Sequence, residues 1–143
     1  MINLLTGIAS TASALNAERI RMEVVSQNIA NANTTRDLDG KPYQRQQVVF
    51  EKILNQQFGS PGLGAGETGV QVARIEKDPR PPIFVFNPGH PDADSSGMVA
   101  MPNISIHEEM ADLIVSSRAF EANLAVVRNA RSMALQTLAI GKR

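Results

Sequence analysis

The chain has 143 residues, the size of one ordinary domain, and balances 14 basic against 14 acidic side chains. A net charge of zero gives no electrostatic footprint for nucleic acid or an anionic membrane. The lack of cysteine excludes disulfides, thiol nucleophiles and zinc–thiolate sites, and 4% aromatic residues with no tryptophan is thin for a large core of its own.

Residues 1–17 carry no charged side chain, so the basic start of a secretory signal is missing. Polar residues from Asn3 to Asn16 interrupt the apolar run before it could reach across a membrane. On these grounds the chain reads as soluble and made without a cleavable leader.

Proline divides the rest. All eight prolines lie between Pro42 and Pro102, and eight of the ten glycines between Gly40 and Gly97. Proline breaks helix interiors, so the two ends are free to be long helices and the middle is not. The first helix is predicted from about residue 3 to about residue 33. Met1, Ile8, Leu15, Met22 and Ile29 recur every seven residues, and Leu4, Val25 and Ala32 add a weaker line. Glu18 is spaced to pair with Arg21, and Arg19 with Glu23.

This helix closes on "SQNIANANTT" (26–35), where three asparagines alternate with Ile29, Ala30 and Ala32. Two readings stand. Asn33 can cap a fraying helix end. Alternatively Asn28 and Asn31, three apart on one face, form a polar seam in which uncharged amides fix the register of a helix contact.

The middle reads as short strands and loops. "YQRQQVVFEKI" (43–53) and "TGVQVARIEKD" (68–78) are rich in β-branched and aromatic residues, and "GSPGLGAGE" (59–67) connects them. Ile83–Phe86 is a short apolar strand bracketed by prolines. A small β-domain or a pair of hairpins is therefore expected to project from the helices. Arg36, Lys41 and Arg45 read as a solvated basic loop.

"HPDADSSG" (90–97) is the most site-like stretch, with His90, Asp92 and Asp94 at alternating positions. The echo of a calcium loop fails at its twelfth position, which is Asn103 after a proline. Asp and Ser side chains capping turns are the plainer expectation. His107 with Glu108 and Glu109 reads as a solvated helix start. No phosphate-binding glycine loop, nucleophile elbow or catalytic histidine set appears, so neither an enzyme nor a cofactor or metal site is expected.

The second helix is predicted from about Ile106 to Ile140, roughly 50 Å long. Ile106, Leu113, Phe120, Val127 and Ala134 form an unbroken seven-residue repeat, with Met110, Leu124 and Leu138 four residues on. Ser105 and Glu108 have the spacing of a capping box, acidic residues crowd the first turns, and Gly141 is placed as a stop. The architecture is thus mainly α with a small β insertion. Two long terminal helices (1–35 and 105–143) form a coiled-coil-like pair around a Pro/Gly-rich β-hairpin segment (36–104). Their apolar stripes are too long for so small a middle to cover, which predicts a partner surface.

"SALNAERIRMEVVSQNIANANTTRDLDGKPYQRQQVVFE" (13–51) closely resembles the N-terminal region of flagellar basal-body rod proteins of the FlgC, proximal-rod type. "FNPGHPDADSSGMVAMPNISIHEEM" (86–110) and "SSRAFEANLAVVRNARSMALQTLAIG" (116–141) resemble the same family's loop and C-terminal helix. The resemblance implies a structural subunit of the rod that crosses the periplasm, exported by the flagellar type III apparatus without a cleavable signal peptide. It implies terminal helices that order on assembly around the export channel, against copies of itself and rod proteins of the FlgB, FliE, FlgF and FlgG types. Carried onto this chain, the implied assembly residues are Asn28, Ile29, Asn31 and Asn33 with Leu113, Phe120, Asn123, Leu124 and Val127. The alternative is a cytoplasmic coiled-coil adaptor that dimerises through residues 106–140.

Overall fold

Proline places the long elements where the sequence predicts them. A computed structural model describes residues 3–37, 39–54 and 68–141. Helix α1 spans Asn3–Ala30 and helix α2 spans Ile106–Ile140. Between them lie strands β1 (Gln46–Leu54), β2 (Thr68–Lys77), β3 (Ile83–Phe86) and β4 (Met98–Met101). The connection 59–67 lies outside the described residues.

Helix α1 stops at Ala30, three residues short of its expected end. The asparagine-rich stretch explains this. Asn31 Nδ2 donates to Gln27 O at 2.9 Å, its Oδ1 accepts from Thr34 Oγ1 at 3.2 Å, and Ala32 N–H bonds Ile29 O. Side-chain amides that compete for backbone groups turn the last helical step into a tight turn.

Helix α2 keeps its predicted bounds. The Ser105 hydroxyl accepts from Glu108 N–H at 3.5 Å. Gly141 caps the helix where expected, but not in the left-handed conformation a glycine stop commonly takes. It sits in right-handed space (φ −73°), and its N–H simply closes one more bond to Thr137 O.

Strands β1 and β2 pair antiparallel from Gln46↔Lys77 to Leu54↔Thr68, with a bulge between Val49 and Phe50. Strands β3 and β4 pair from Ile83↔Met101 to Phe86↔Met98. The sequence reading has no strand at 98–101. Four residues inside a loop-like stretch carry too little local signal, and the strand exists because β3 supplies its ladder. Gly97 enables the return: its φ is +77°, and a Cβ there would come within 2.9 Å of the Phe86 ring.

Helix α1 is the centre of the molecule, packed on by α2 and by the β1–β2 hairpin. Asn28 meets Glu109 and Arg21 meets Asp112, so the C-terminal end of α1 lies beside the N-terminal end of α2 and the helices run antiparallel. The hairpin runs lengthwise along α1. Its base is tied at Asn28, and Val70 N–H bonds Ser13 Oγ at 3.2 Å, about 22 Å further along the helix. Among the described residues, the β3–β4 hairpin packs on neither helix. No described helix is long and apolar enough to cross a membrane.

Candidate assembly interface

Two features stand out, a buried polar node and an uncovered helix face. The node centres on Asn28, which is 0% exposed. Its Nδ2 donates to Gln46 O at 2.8 Å and to Glu109 Oε2 at 2.9 Å. Its Oδ1 accepts from Gln46 N–H at 2.9 Å and from Tyr43 O–H at 3.1 Å. A carboxamide offers two donors and two lone pairs, and here all four are used. Gln46 fixes the amide's orientation, because its N–H only donates and its C=O only accepts. Strand β1 therefore begins against a side chain that bonds it as a neighbouring strand would.

Glu109 is 1% exposed and accepts from Arg45 Nε at 2.6 Å through its second oxygen. Arg45 also lies 3.8 Å from Asp78 and from Asp112, and Asp112 lies 3.5 Å from Arg21. Asp78 in turn takes Arg80 Nη2 at 2.7 Å, Nε at 2.8 Å and N–H at 3.0 Å. The hydrogen bonds from Arg80, then its charge and that of Arg45, hold the Asp78 carboxyl below its ordinary value. Burial, with the negative charges of Glu109 and Asp37, pushes the Tyr43 phenol up. One connected set of charges thus joins α1, the approach to β1, the end of β2 and the first turn of α2. Buried ion pairs contribute little net stability, but losing one partner strands the other, so such sets specify one arrangement.

The node overturns two sequence readings. Glu109 is not part of a solvated helix start, and Arg45 is not a solvated loop cation. Nor does Arg21 pair with Glu18, since it reaches across to Asp112. Arg19 and Glu23 do pair, at 3.4 Å on the exposed side. A cleft of about 300 Å³ opens beside the node, with Lys41, Tyr43, Lys77, Arg80 and Asn103 in its walls.

The uncovered face is on α2. Ile106, Met110 and Ile114 are exposed near its start, and Val126, Met133 and Leu138 further along. The residues α2 buries are Glu109, Ser116 and Ala130, spaced in sevens with half-buried Asn123 between. They lie three residues on from the oily line through Ile106, Leu113, Phe120 and Val127. Ser116 and Ala130 are small enough for close helix packing, Glu109 is buried through its polar partners, and the larger apolar side chains stay part-exposed.

Comparison with known proteins places this architecture. Residues 8–36 match the family described as Flagella basal body rod protein, and residues 95–140 that described as Flagellar basal body rod FlgEFG protein C-terminal. The flagellar basal-body rod protein FlgC of Borreliella burgdorferi is 40% identical, aligned over 97% of this chain and 98% of its own. Those of Yersinia enterocolitica (42%; 91% and 92%) and Bacillus subtilis (40%; 92% and 94%) are similar to the same extent. The chain belongs to the FlgC family of flagellar basal-body rod proteins.

The two segments that match family descriptions are the ends of this FlgC-type chain: most of α1 with its closing turn, and β4 with α2. The residues that the family resemblance singles out fall in different settings. Asn28 is consumed by the chain's own node, and Asn31 serves the local turn. Ile29 is half-buried and Asn33 exposed. Leu113, Phe120, Asn123, Leu124 and Val127 are all half-buried along α2. Sequence reasoning missed Tyr43, Arg45, Asp78 and Glu109. One signal was available for Glu109, which starts the buried seven-residue line.

In the 90–97 loop the plainer expectation matches the geometry. Asp94 Oδ1 accepts from Ser96 Oγ at 2.7 Å, Ser96 N–H at 2.8 Å and Met98 N–H at 2.9 Å. Those bonds, the serine hydroxyl first, lower its carboxyl's pKa.

Proposed function

We propose that the chain is a non-enzymatic structural subunit of the proximal part of the flagellar rod. In this reading α1 and α2 are a coiled-coil-like pair that packs laterally against copies of the chain and rod proteins of the FlgB, FliE, FlgF and FlgG types. The helices line the wall around the export channel within the periplasm, and the hairpins form the outer layer. Torque spread over many side-by-side helical contacts loads each one weakly, so a stiff shaft needs no covalent links. The observation that carries this is α2 itself. One of its long faces is seated on α1, and Val126, Met133 and Leu138 remain more than half exposed. Apolar surface of that length is what a subunit completes with neighbours.

The test is assembly. A flagellated strain carrying Leu124→Asp should lose its rods and its motility, and the purified wild-type chain should co-sediment with a FlgB-type protein. Full motility with Leu124→Asp, or a stable dimer that ignores rod proteins, would remove this reading in favour of an adaptor.

A further inference from the structure

Strand β3 has one open edge, and its outline is specific. The register runs from Ile83↔Met101 to Phe86↔Met98, and one step further Asn87 N–H donates to Gly97 O at 2.9 Å. In an antiparallel pair, residues that bond across the ladder alternate with residues whose N–H and C=O point away from it. Ile83, Val85 and Asn87 therefore face β4, while Phe84 and Phe86 turn their backbone groups outward. Met98, opposite Phe86, has the matching phase, since its N–H and C=O both go to Asp94 and not to β3. The outer edge of β4 is thus partly closed by its own loop. The edge of β3 is open. Among the described residues no group bonds the outward N–H or C=O of Phe84 or Phe86, and all four residues of the strand are exposed.

The next outward positions on either side, 82 and 88, are both proline. Proline has no N–H, so the donors of the edge end there. A bare strand edge invites indefinite pairing, and this one is cut down to two residues.

We infer that β3 pairs with β3 of a second copy of the chain, antiparallel about a twofold axis through Val85. The outline of the edge selects this occupant. With Val85 set opposite its own copy, Phe84 of each chain lies across from Phe86 of the other, and Pro82 lies across from Pro88. Every outward N–H and C=O of the phenylalanines is then bonded, and the residues without a donor face each other. A shift of two residues either way sets one phenylalanine of each chain against a proline and leaves its C=O unbonded. The strand carries no charge to repel its copy, and the pairing brings aromatic side chains opposite one another. It also turns two marginal two-stranded hairpins into one four-stranded sheet. A contact this small is reversible, and being isologous it closes at two. It uses no residue of α2 and does not rest on the rod reading.

The chain has no cysteine, so single-thiol cross-linking of the full chain tests the register directly. Val85 would meet its copy in a non-hydrogen-bonded pair, with Cα atoms about 4.5 Å apart, within the span of a disulfide. Ile83 is on the same face but lies across from Asn87, which leaves two copies of Ile83 about 13 Å apart and out of reach. Under mild oxidation Val85→Cys should form a disulfide-linked dimer and Ile83→Cys should not. Adding Phe84→Pro to Val85→Cys removes only an outward N–H, so the β3–β4 ladder stays, and cross-linking should slow about tenfold or more through the loss of two hydrogen bonds. Phe84→Val, which keeps that N–H, should slow it far less. No dimer from Val85→Cys, equal cross-linking of Ile83→Cys, or a rate untouched by Phe84→Pro would each overturn the pair.

Discussion

The two ends of α2 are built on opposite principles. Its first turns are fastened by a serine cap, a buried carboxylate and an arginine from the strand approach. Its last ten residues are exposed except Ala134, and they include Met133, Leu135, Leu138 and Ile140. Directional polar bonds specify the chain's own arrangement at one end. At the other, non-directional apolar surface stays exposed. A hydrogen bond has one correct partner, whereas an oily ridge accepts any complementary neighbour. That division suits a subunit that must fold one way and still be joined by several others.

The comparison breaks most visibly at Glu109. Glu109→Ala takes the hydrogen-bonded carboxylate from Arg45, which keeps only its 3.8 Å pairs with Asp78 and Asp112, and strands one buried Asn28 donor. This should destabilise the fold by about 2–4 kcal/mol. Chemical denaturation read by circular dichroism measures it. A loss under 1 kcal/mol would mean the first turn of α2 is held by packing instead. Asn28→Asp should come next, near 3 kcal/mol, because acceptors would meet where the amide donated to Gln46 O and Glu109. Its sign with pH is diagnostic. The new carboxyl, beside Glu109, would have a raised pKa in the fold. The variant should therefore be closest to wild type in acid and fall further behind as pH rises.

Much of this was legible and some was not, for reasons that particular residues show. The proline boundary fixed both helices, because one missing N–H forbids a helix interior wherever it occurs. The β1–β2 pair was visible because Val and Ile cluster on both sides of a glycine-rich connection. Strand β4 was invisible, since Met98–Met101 becomes a strand only when Ile83–Phe86 lies beside it. The node was invisible for a deeper reason. Asn28, Arg45 and Glu109 are far apart in sequence; Asn28 could be read as an amide in a helix contact, but Arg45 and Glu109 each look like surface residues on their own. Only the antiparallel return of α2 makes them one group, and local patterns carry no term for that. The heptad rule found the right helix, and the residues α2 buries within the chain lie three positions on from the oily line it marks. It weights oily residues, while the line α2 buries holds Ser116, Ala130 and the charged Glu109.

Ser116 sharpens the comparison from the other side. It is 0% exposed on the line facing α1, and its hydroxyl has no hydrogen-bond partner among the described residues. A polar atom buried without a partner is a net loss, so Ser116→Ala should raise stability by about 1 kcal/mol. A fall of that size would mean the hydroxyl is bonded in solution, by a trapped water for instance. Acid should act through Asp78. Its carboxyl titrates below its unfolded value of 3.8. The stability it contributes is complete above that value and is lost as pH falls through the lower, folded one. Asp78→Asn should therefore flatten the decline in stability below about pH 4, where an unperturbed carboxyl begins to protonate. An unchanged acid profile would assign the decline to other carboxylates.

The smallest expected effect on stability is the most informative about purpose. Leu138 is 67% exposed near the end of α2. An exposed substitution away from any polar network usually changes stability by less than about 0.5 kcal/mol, so Leu138→Ser should leave the denaturation midpoint of the isolated chain unmoved. If the surface is kept for neighbours, the same change should still slow or prevent incorporation into rods, because what it removes is absent from the monomer. Glu109→Gln is the matched opposite, since it weakens the fold and leaves the outer face of α2 untouched. Measured together in one strain background, the pair should separate, with assembly failing at unchanged stability for Leu138→Ser and stability failing first for Glu109→Gln. If Leu138→Ser instead lowers the stability of the monomer by more than 1 kcal/mol, the end of α2 is already covered in solution. The division between a specified end and an open end would then be wrong.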